Sequence, residues 1–265
     1  MAGLTTMKRG GSRFYVDKET REKVPGVTSV IDMVPKDFLK YWVAKITAEQ
    51  AVENLGAVVT LAMRDPSAAV DMLKRTHLRT TGEAADIGTE AHNIFERLAK
   101  GEKVGRLHPD MELFANGVRE FLDRYQPEFL HIEDTVWSDT HRYAGSFDAI
   151  AKVDGEVLMV DAKTTRSGVH AEVALQLSAY MNADRIVTPD GDDVPLPPFD
   201  GAAVFHFRPD GWQFVPIRAD AAVFQKFLSL REVFDWVHTD SDSVIGKPDY
   251  STFTTTGSER RASKK

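Results

Sequence analysis

The chain predicts an α/β (α+β) fold, a mixed central sheet flanked by helices and preceded by a mainly helical lobe. Three observations carry this. Apolar residues recur at helical period from about Thr28 to Pro127. After Pro127 the period shortens to that of strands, with two tight hairpins. The strands of the first hairpin are apolar on both faces, and such a sheet must be covered on both faces.

At 265 residues the chain can form one large domain, or one domain with an accessory lobe. A hydrophobic fraction of 42% is ordinary for a globular protein. No apolar run is long enough to cross a membrane. The absence of cysteine excludes disulfides, thiolate-bound zinc and iron–sulfur clusters. The net charge of −7 weighs against avid non-specific binding of nucleic acid, although it does not describe a local channel.

Residues 1–12 hold Lys8 and Arg9 with no apolar core behind them, so a flexible N-terminus without a secretory signal is expected. The expected lobe spans 13–130. Arg13 to Val16 reads as a strand, Pro25-Gly26 as a turn, and Thr28 or Ser29 as a helix cap. Phe38, Leu39, Trp42, Val43 and Ile46 have helical spacing. Asp65-Pro66-Ser67 breaks the pattern, which resumes from Ala68 to Leu73. Gly88-Thr89 is expected to open a helix with Ala91, Ile94, Phe95 and Leu98 on its apolar stripe. Met111, Phe114, Val118, Phe121, Leu122 and Tyr125 form the next stripe.

The expected core spans 131–238. His131 to Ser138 reads as one strand. A hairpin follows, with Asp154-Gly155 as its two-residue turn. Phe147, Ala149, Leu158 and Val160 are expected on one face, and Ile150 and Met159 on the other beside the acids. Glu172 to Ala183 is expected to be a helix and Thr188 to Asp200 a loop. Ala202–Phe207 and Trp212–Ile217 form a second hairpin around Pro209-Asp210-Gly211. Val223, Phe227, Leu230, Phe234 and Val237 mark a last helix, and 239–265 reads as a flexible tail.

The first hairpin carries the chemistry. Its turn sets Val153 opposite Glu156, and the same register sets Asp148 opposite Asp161. Opposed side chains lie about 4.5–5.5 Å apart at Cβ, where like charges repel unless a cation lies between them. Lys163 is two residues beyond Asp161 and shares its face. Two acids and a lysine on one patch suit a divalent metal and a phosphate.

His92 and Glu96 stand one helical turn apart, as do Gln176 and Tyr180. On spacing alone a boundary histidine with an exposed glutamate, and a helix edge with a core tyrosine, are the commoner outcomes. Arg64, Lys74, Arg75, Arg79, Lys100, Lys103 and Arg106 are candidate phosphate contacts. Trp42, Trp137, Trp212 and Trp236 suit core packing better than base stacking, and His170, His206 and Arg208 take no role from the sequence. No glycine-rich phosphate loop, G-x-S-x-G or H-E-x-x-H is present, which weighs against an NTPase, a serine hydrolase and a zincin.

The run G-S-F-D148 to V-D161-A-K163-T-T, preceded by G88-T-E-A-H92 and followed by L-Q176-L-S-A-Y180, resembles the nuclease module of the PD-(D/E)xK superfamily. The similarity is to its RecB-type branch, which includes CRISPR-associated and phage exonucleases, and P25-G-V-T-S-V-I adds to it. The resemblance implies a restriction-endonuclease-like sheet. It implies that His92, Asp148, Asp161 and the backbone carbonyl of Ala162 hold Mg2+ or Mn2+, with Glu96 at a less constant acidic position. It implies that Lys163 is catalytic and that Gln176 and Tyr180 belong to the catalytic set. Many relatives carry four cysteines for an iron–sulfur cluster, and this chain has none. The implied activity is exonucleolytic cleavage of single-stranded DNA or duplex ends, in the cytoplasm, alongside a recombinase or single-strand-binding protein and away from membranes. A non-catalytic DNA-binding subunit and a structure-specific endonuclease are the alternatives.

Overall fold

The computed structural model describes residues 3–246. The order is β1 (Leu4–Arg9), β2 (Ser12–Asp17), β3 (Lys23–Pro25), α1 (Val27–Ile31), α2 (Phe38–Glu53), α3 (Leu55–Arg64), α4 (Pro66–Lys74), α5 (Thr76–Ala99) and α6 (Pro109–Tyr125). Then come β4 (Glu128–Ile132), β5 (Thr135–Ser138), β6 (Tyr143–Ser146), β7 (Ala149–Val153), β8 (Glu156–Lys163), α7 (Glu172–Met181), β9 (Arg185–Val187) and β10 (Asp193–Val194). The described chain closes with β11 (Gly201–Arg208), β12 (Gly211–Ile217), α8 (Ala221–His238) and a 3-10 turn at Asp240–Ser243.

The central sheet has five strands in the order β12-β11-β8-β7-β4. Only β8 and β11 are parallel; the other neighbours are antiparallel, so the sheet is mixed. Helices flank it on both faces. One face packs Ile150, Met159 and Val204 against α1, α7 and α8. The other packs Ala149, Val160 and Phe205 against α5 and α6. Alternation along each strand feeds both layers, as the sequence required.

Two smaller sheets adjoin it, β10-β9-β5-β6 and β1-β2-β3. The expected flexible leader is therefore a strand over residues 4–9, because its backbone completes a ladder with β2 from Leu4↔Asp17 to Arg9↔Ser12. The expected tail is ordered as far as the 3-10 turn, and residues 247–265 lie outside the described residues.

Further elements depart from expectation. Gly88-Thr89 does not start a helix; α5 runs unbroken from Thr76. A mid-helix glycine costs about 1 kcal/mol relative to alanine, and a Cβ there would already reach Thr164 Oγ1 at 3.5 Å. Thr28 and Ser29 lie inside α1, which Gly26 caps, and Ser29 Oγ instead accepts the Arg13 N–H at 2.8 Å. The stripe on α2 is not core: Phe38 and Leu39 are exposed and no residue of that helix is fully buried. Helices α2 to α4 pack among themselves and on α5.

Both hairpins have the expected register, Val153↔Glu156 and Phe207↔Trp212. Phe147, however, packs with Ile150 and Met159, not with Ala149. The chain changes sheet at Phe147-Asp148, leaving β6 for β7, and the alternation is reset there.

Gly145 marks a close approach. A Cβ there would meet Tyr180 Cε1 at 2.6 Å and Val27 Cγ2 at 3.2 Å. Tyr180 is buried and belongs to the core on that face. Gly145→Ala is expected to destabilise the protein by about 1–3 kcal/mol through overpacking, read as a lower urea midpoint with an unchanged slope.

Candidate metal centre at the strand crossings

The site forms where the chain passes twice between sheets. Strands β4 and β5 are not one strand, since β4 pairs with β7 in the central sheet and β5 pairs with β6 and β9. The break falls on Glu133-Asp134, and the companion break between β6 and β7 falls on Phe147-Asp148. The two breaks are tied together: the Glu133 N–H donates to the Asp148 carbonyl at 3.0 Å, and the Phe147 N–H to the Asp134 carbonyl at 3.0 Å. Glu133 has φ 59°, a left-handed conformation uncommon outside glycine and enriched at functional sites. His131 Nδ1 braces the turn at 2.8 Å from Asp134 Oδ2.

These crossings bring His92, Glu133 and Asp148 together. One donor atom from each lies within 4.8 Å of the others. His92 reaches down from α5, with Nδ1 3.4 Å from Asp148 Oδ1. The second Asp148 oxygen accepts the Ala162 N–H at 2.6 Å. That bond ties Asp148 to β8, whose ladder with β7 runs from Val153↔Glu156 to Ala149↔Val160 and stops one pair short of Asp148 and Asp161.

Asp161 is only 2% exposed. Lys163 Nζ donates to its Oδ1 at 2.9 Å, and Gln176 Nε2 donates to the same oxygen at 2.8 Å. Gln176 Nε2 also reaches the Tyr180 hydroxyl at 3.2 Å. Oδ2 differs. Lys163 Nζ is 2.7 Å away, close enough for an ion pair but not aligned as a donor, and Oδ2 has no hydrogen-bond partner. A buried carboxylate oxygen without a directed donor keeps a lone pair available to a cation.

The sequence-derived residues thus fall into two connected groups. His92 and Asp148 lie in one; Asp161, Lys163, Gln176 and Tyr180 lie in the other; and Ala162 links them through its N–H. Glu96 is not among the three converging donors; Lys100 Nζ binds it at 2.6 Å, which also occupies one of the candidate phosphate contacts. Trp137 is fully buried, as core packing required, whereas Trp236 on the outer face of α8 is exposed and is not core. Glu133 takes the place expected of Glu96. The sequence did carry a signal for it, since Glu133-Asp134 puts two poor strand formers inside an otherwise strand-like run.

Charge crowding shifts the titration of the group. Burial, then the neighbouring Asp148 and Glu96 carboxylates, push Glu133 up to about 7. Burial raises Asp161, with Lys163 partly opposing it. For His92, burial disfavours the cation, but Asp148 outweighs it and the net shift is upward. Burial also raises Tyr180, which keeps it protonated. An imidazole, crowded carboxylates and one oxygen lacking a donor form a set that fits a hard divalent cation such as Mg2+ or Mn2+ better than a soft one. No iron–sulfur cluster can form without cysteine.

No family model matches this chain, and no curated protein matches it in sequence. Among the described residues no helix is long and apolar enough to cross a membrane.

The raised carboxylates give a signed prediction. Between the ordinary value of 4.5 and about 7, the folded protein holds a proton on Glu133 that the unfolded chain has released. Stability from this group is therefore present at low pH and declines as pH rises through that window. Without divalent metal, the melting temperature should fall from pH 5 to pH 7.5, and Glu133→Gln should flatten the decline. Millimolar Mn2+ should raise it more at pH 7.5 than at pH 5. Thermal melts across pH, with Mn2+ and with EDTA, check this.

Proposed function

We propose that the protein is a metal-dependent deoxyribonuclease of the PD-(D/E)xK kind, acting as an exonuclease on single-stranded or duplex DNA ends. The observation that carries the reading is Asp161, a buried carboxylate pinned through one oxygen by Lys163 and Gln176 while the other oxygen accepts no hydrogen bond. A surface hairpin with solvated charges would not bury such a group.

In this reading His92, Glu133, Asp148 and Asp161 hold the cation, with the Ala162 carbonyl as the further ligand that the resemblance implies. When bound, Mg2+ or Mn2+ supplies Lewis-acid polarisation of the phosphoryl oxygen and lowers the pKa of water. The chain supplies the rest. Lys163 places an ammonium beside the position of the scissile phosphate, where it offsets developing negative charge and orients the attacking water. Gln176 fixes the rotamer of Asp161, and Tyr180 fixes Gln176. The Ala162 N–H holds Asp148 so that only one of its oxygens is left to the cation. DNA in the cytoplasm is the substrate, and recombination, replication or repair of a phage or bacterial genome is the setting. A recombinase or single-strand-binding protein is the fitting companion.

Asp161→Asn and Lys163→Ala are each expected to slow cleavage of end-labelled linear DNA by at least about a hundredfold. EDTA should stop the wild-type reaction and Mn2+ restore it, and covalently closed circles should resist. Wild-type rates in either variant would sink the site assignment. A wild-type protein that binds DNA without cutting it would favour a binding subunit, and cleavage of closed circles an endonuclease.

A further inference from the structure

Lys163 ends β8, and the loop 164–170 that follows divides two clefts. The cleft of about 190 Å3 lies on the α7 side and is lined by Lys163 and Gln176, so it belongs to the site already described. The other, about 360 Å3, lies between this loop and the β11–β12 turn, outside the set of residues around Asp161. Arg166, Ser167, His206, Arg208, Asp210 and Gln213 line it, the Asp210 carboxylate being paired with Arg208. Its position is the one where open sheets bind ligands, beyond the carboxyl ends of neighbouring parallel strands. Here those strands are β8 and β11, paired up to His206↔Lys163. His206 is on the same face as Val204, which is paired with Asp161. The cleft therefore begins one strand spacing, about 4.8 Å, from the backbone of Lys163.

The loop wall is held from β11. His206 Nε2 is 2.8 Å from the Thr165 carbonyl, and Arg208 Nη1 donates to the Arg166 carbonyl at 2.8 Å. Two side chains on one face of β11 thus fix two consecutive carbonyls. Within the loop, Thr165 Oγ1 donates to the Gly168 carbonyl at 2.6 Å. Arg208 is also paired with a carboxylate, since its Nε and Nη2 bind Asp210. Arg166 is the opposite case. Its backbone is anchored and its side chain is exposed, and among the described residues no carboxylate lies within ion-pair distance of it. An arginine on a fixed backbone, without an acidic partner, lining a polar cleft of ligand size is arranged to receive an anion.

We propose that this cleft is a subsite for the DNA strand flanking the cut bond, and that Arg166 binds a phosphate of that strand. The proposal rests on the nuclease reading. It makes Arg166 a substrate-binding residue, with His206 and Arg208 as positioning residues acting through the loop backbone.

The test measures two things on the full chain. One is binding of a fluorescent single-stranded oligonucleotide, with Ca2+ in place of Mg2+, across a series of KCl concentrations. The other is cleavage kinetics with Mg2+. Arg166→Ala is expected to raise KM about tenfold, with a much smaller effect on kcat, and to lower the slope of log K against log salt by about 0.7, the share of one single-strand phosphate contact. Arg166→Lys should recover most of both. Arg218→Ala, an exposed arginine beside Asp220 on the way into α8, should change neither. If wild type cuts DNA and Arg166→Ala keeps its KM and salt slope, the subsite is refuted and the nuclease reading stands. If wild type neither cuts nor binds DNA, both fall.

Discussion

The burial of Asp161 is the constraint on which the site depends. A carboxylate removed from water needs compensation, and here it comes from a lysine two residues along the same strand and a glutamine from α7. The compensation extends inward. Gln176 meets Tyr180, the Tyr180 ring lies against the backbone of Gly145, and Val27 of α1 closes the same contact. A well-packed apolar group in place of such a buried pair is often neutral or stabilising. The arrangement therefore costs stability that the core on that face, from Phe147 and Met159 to Phe227, must supply.

The second constraint is topological. Both carboxylates closest to His92 lie where a strand leaves one sheet and enters another. At such a crossing the ladder is interrupted, and the backbone groups that would have paired within a sheet pair across the crossing instead, as Glu133 does with Asp148. The side chains there escape strict alternation. They can converge on a point that no single flat sheet would give them, and the left-handed backbone of Glu133 is part of that departure.

This explains which parts of the protein were legible in the sequence. Asp148, Asp161 and Lys163 follow from a two-residue turn and a period of two, and both rules operate along one hairpin. The two-layer cover of the sheet followed from the apolar faces of the same strands. Glu133 was marked only by the interruption that Glu133-Asp134 makes in a strand-like run, and its role was hidden because its position depends on a strand break and on pairing with Asp148, fifteen residues along the chain. The strand from Leu4 was missed for a related reason: Thr5, Thr6, Lys8 and Arg9 carry no apolar alternation, and the strand exists through backbone pairing to β2. Gly88 misled in the opposite direction. It reads as a helix boundary, but it lies inside α5, twelve residues after the helix begins at Thr76.

Helix α5 ties these constraints together. At about 1.5 Å per residue its 24 residues span roughly 36 Å. It packs with α2 and α4, while Ala91, Ile94 and Phe95 in its second half are buried on the central sheet. His92 lies within that anchored half, so its reach to Asp148 is set by Phe95 and its aromatic neighbours Phe129, Phe205 and Phe207. Phe205 is the cross-strand partner of Ala162, the residue whose N–H holds Asp148. The imidazole and the carboxylate it faces are thus both positioned from the same aromatic cluster, one through a helix and the other through a strand. That shared footing brings together two side chains, His92 and Asp148, that are 56 residues apart in the chain.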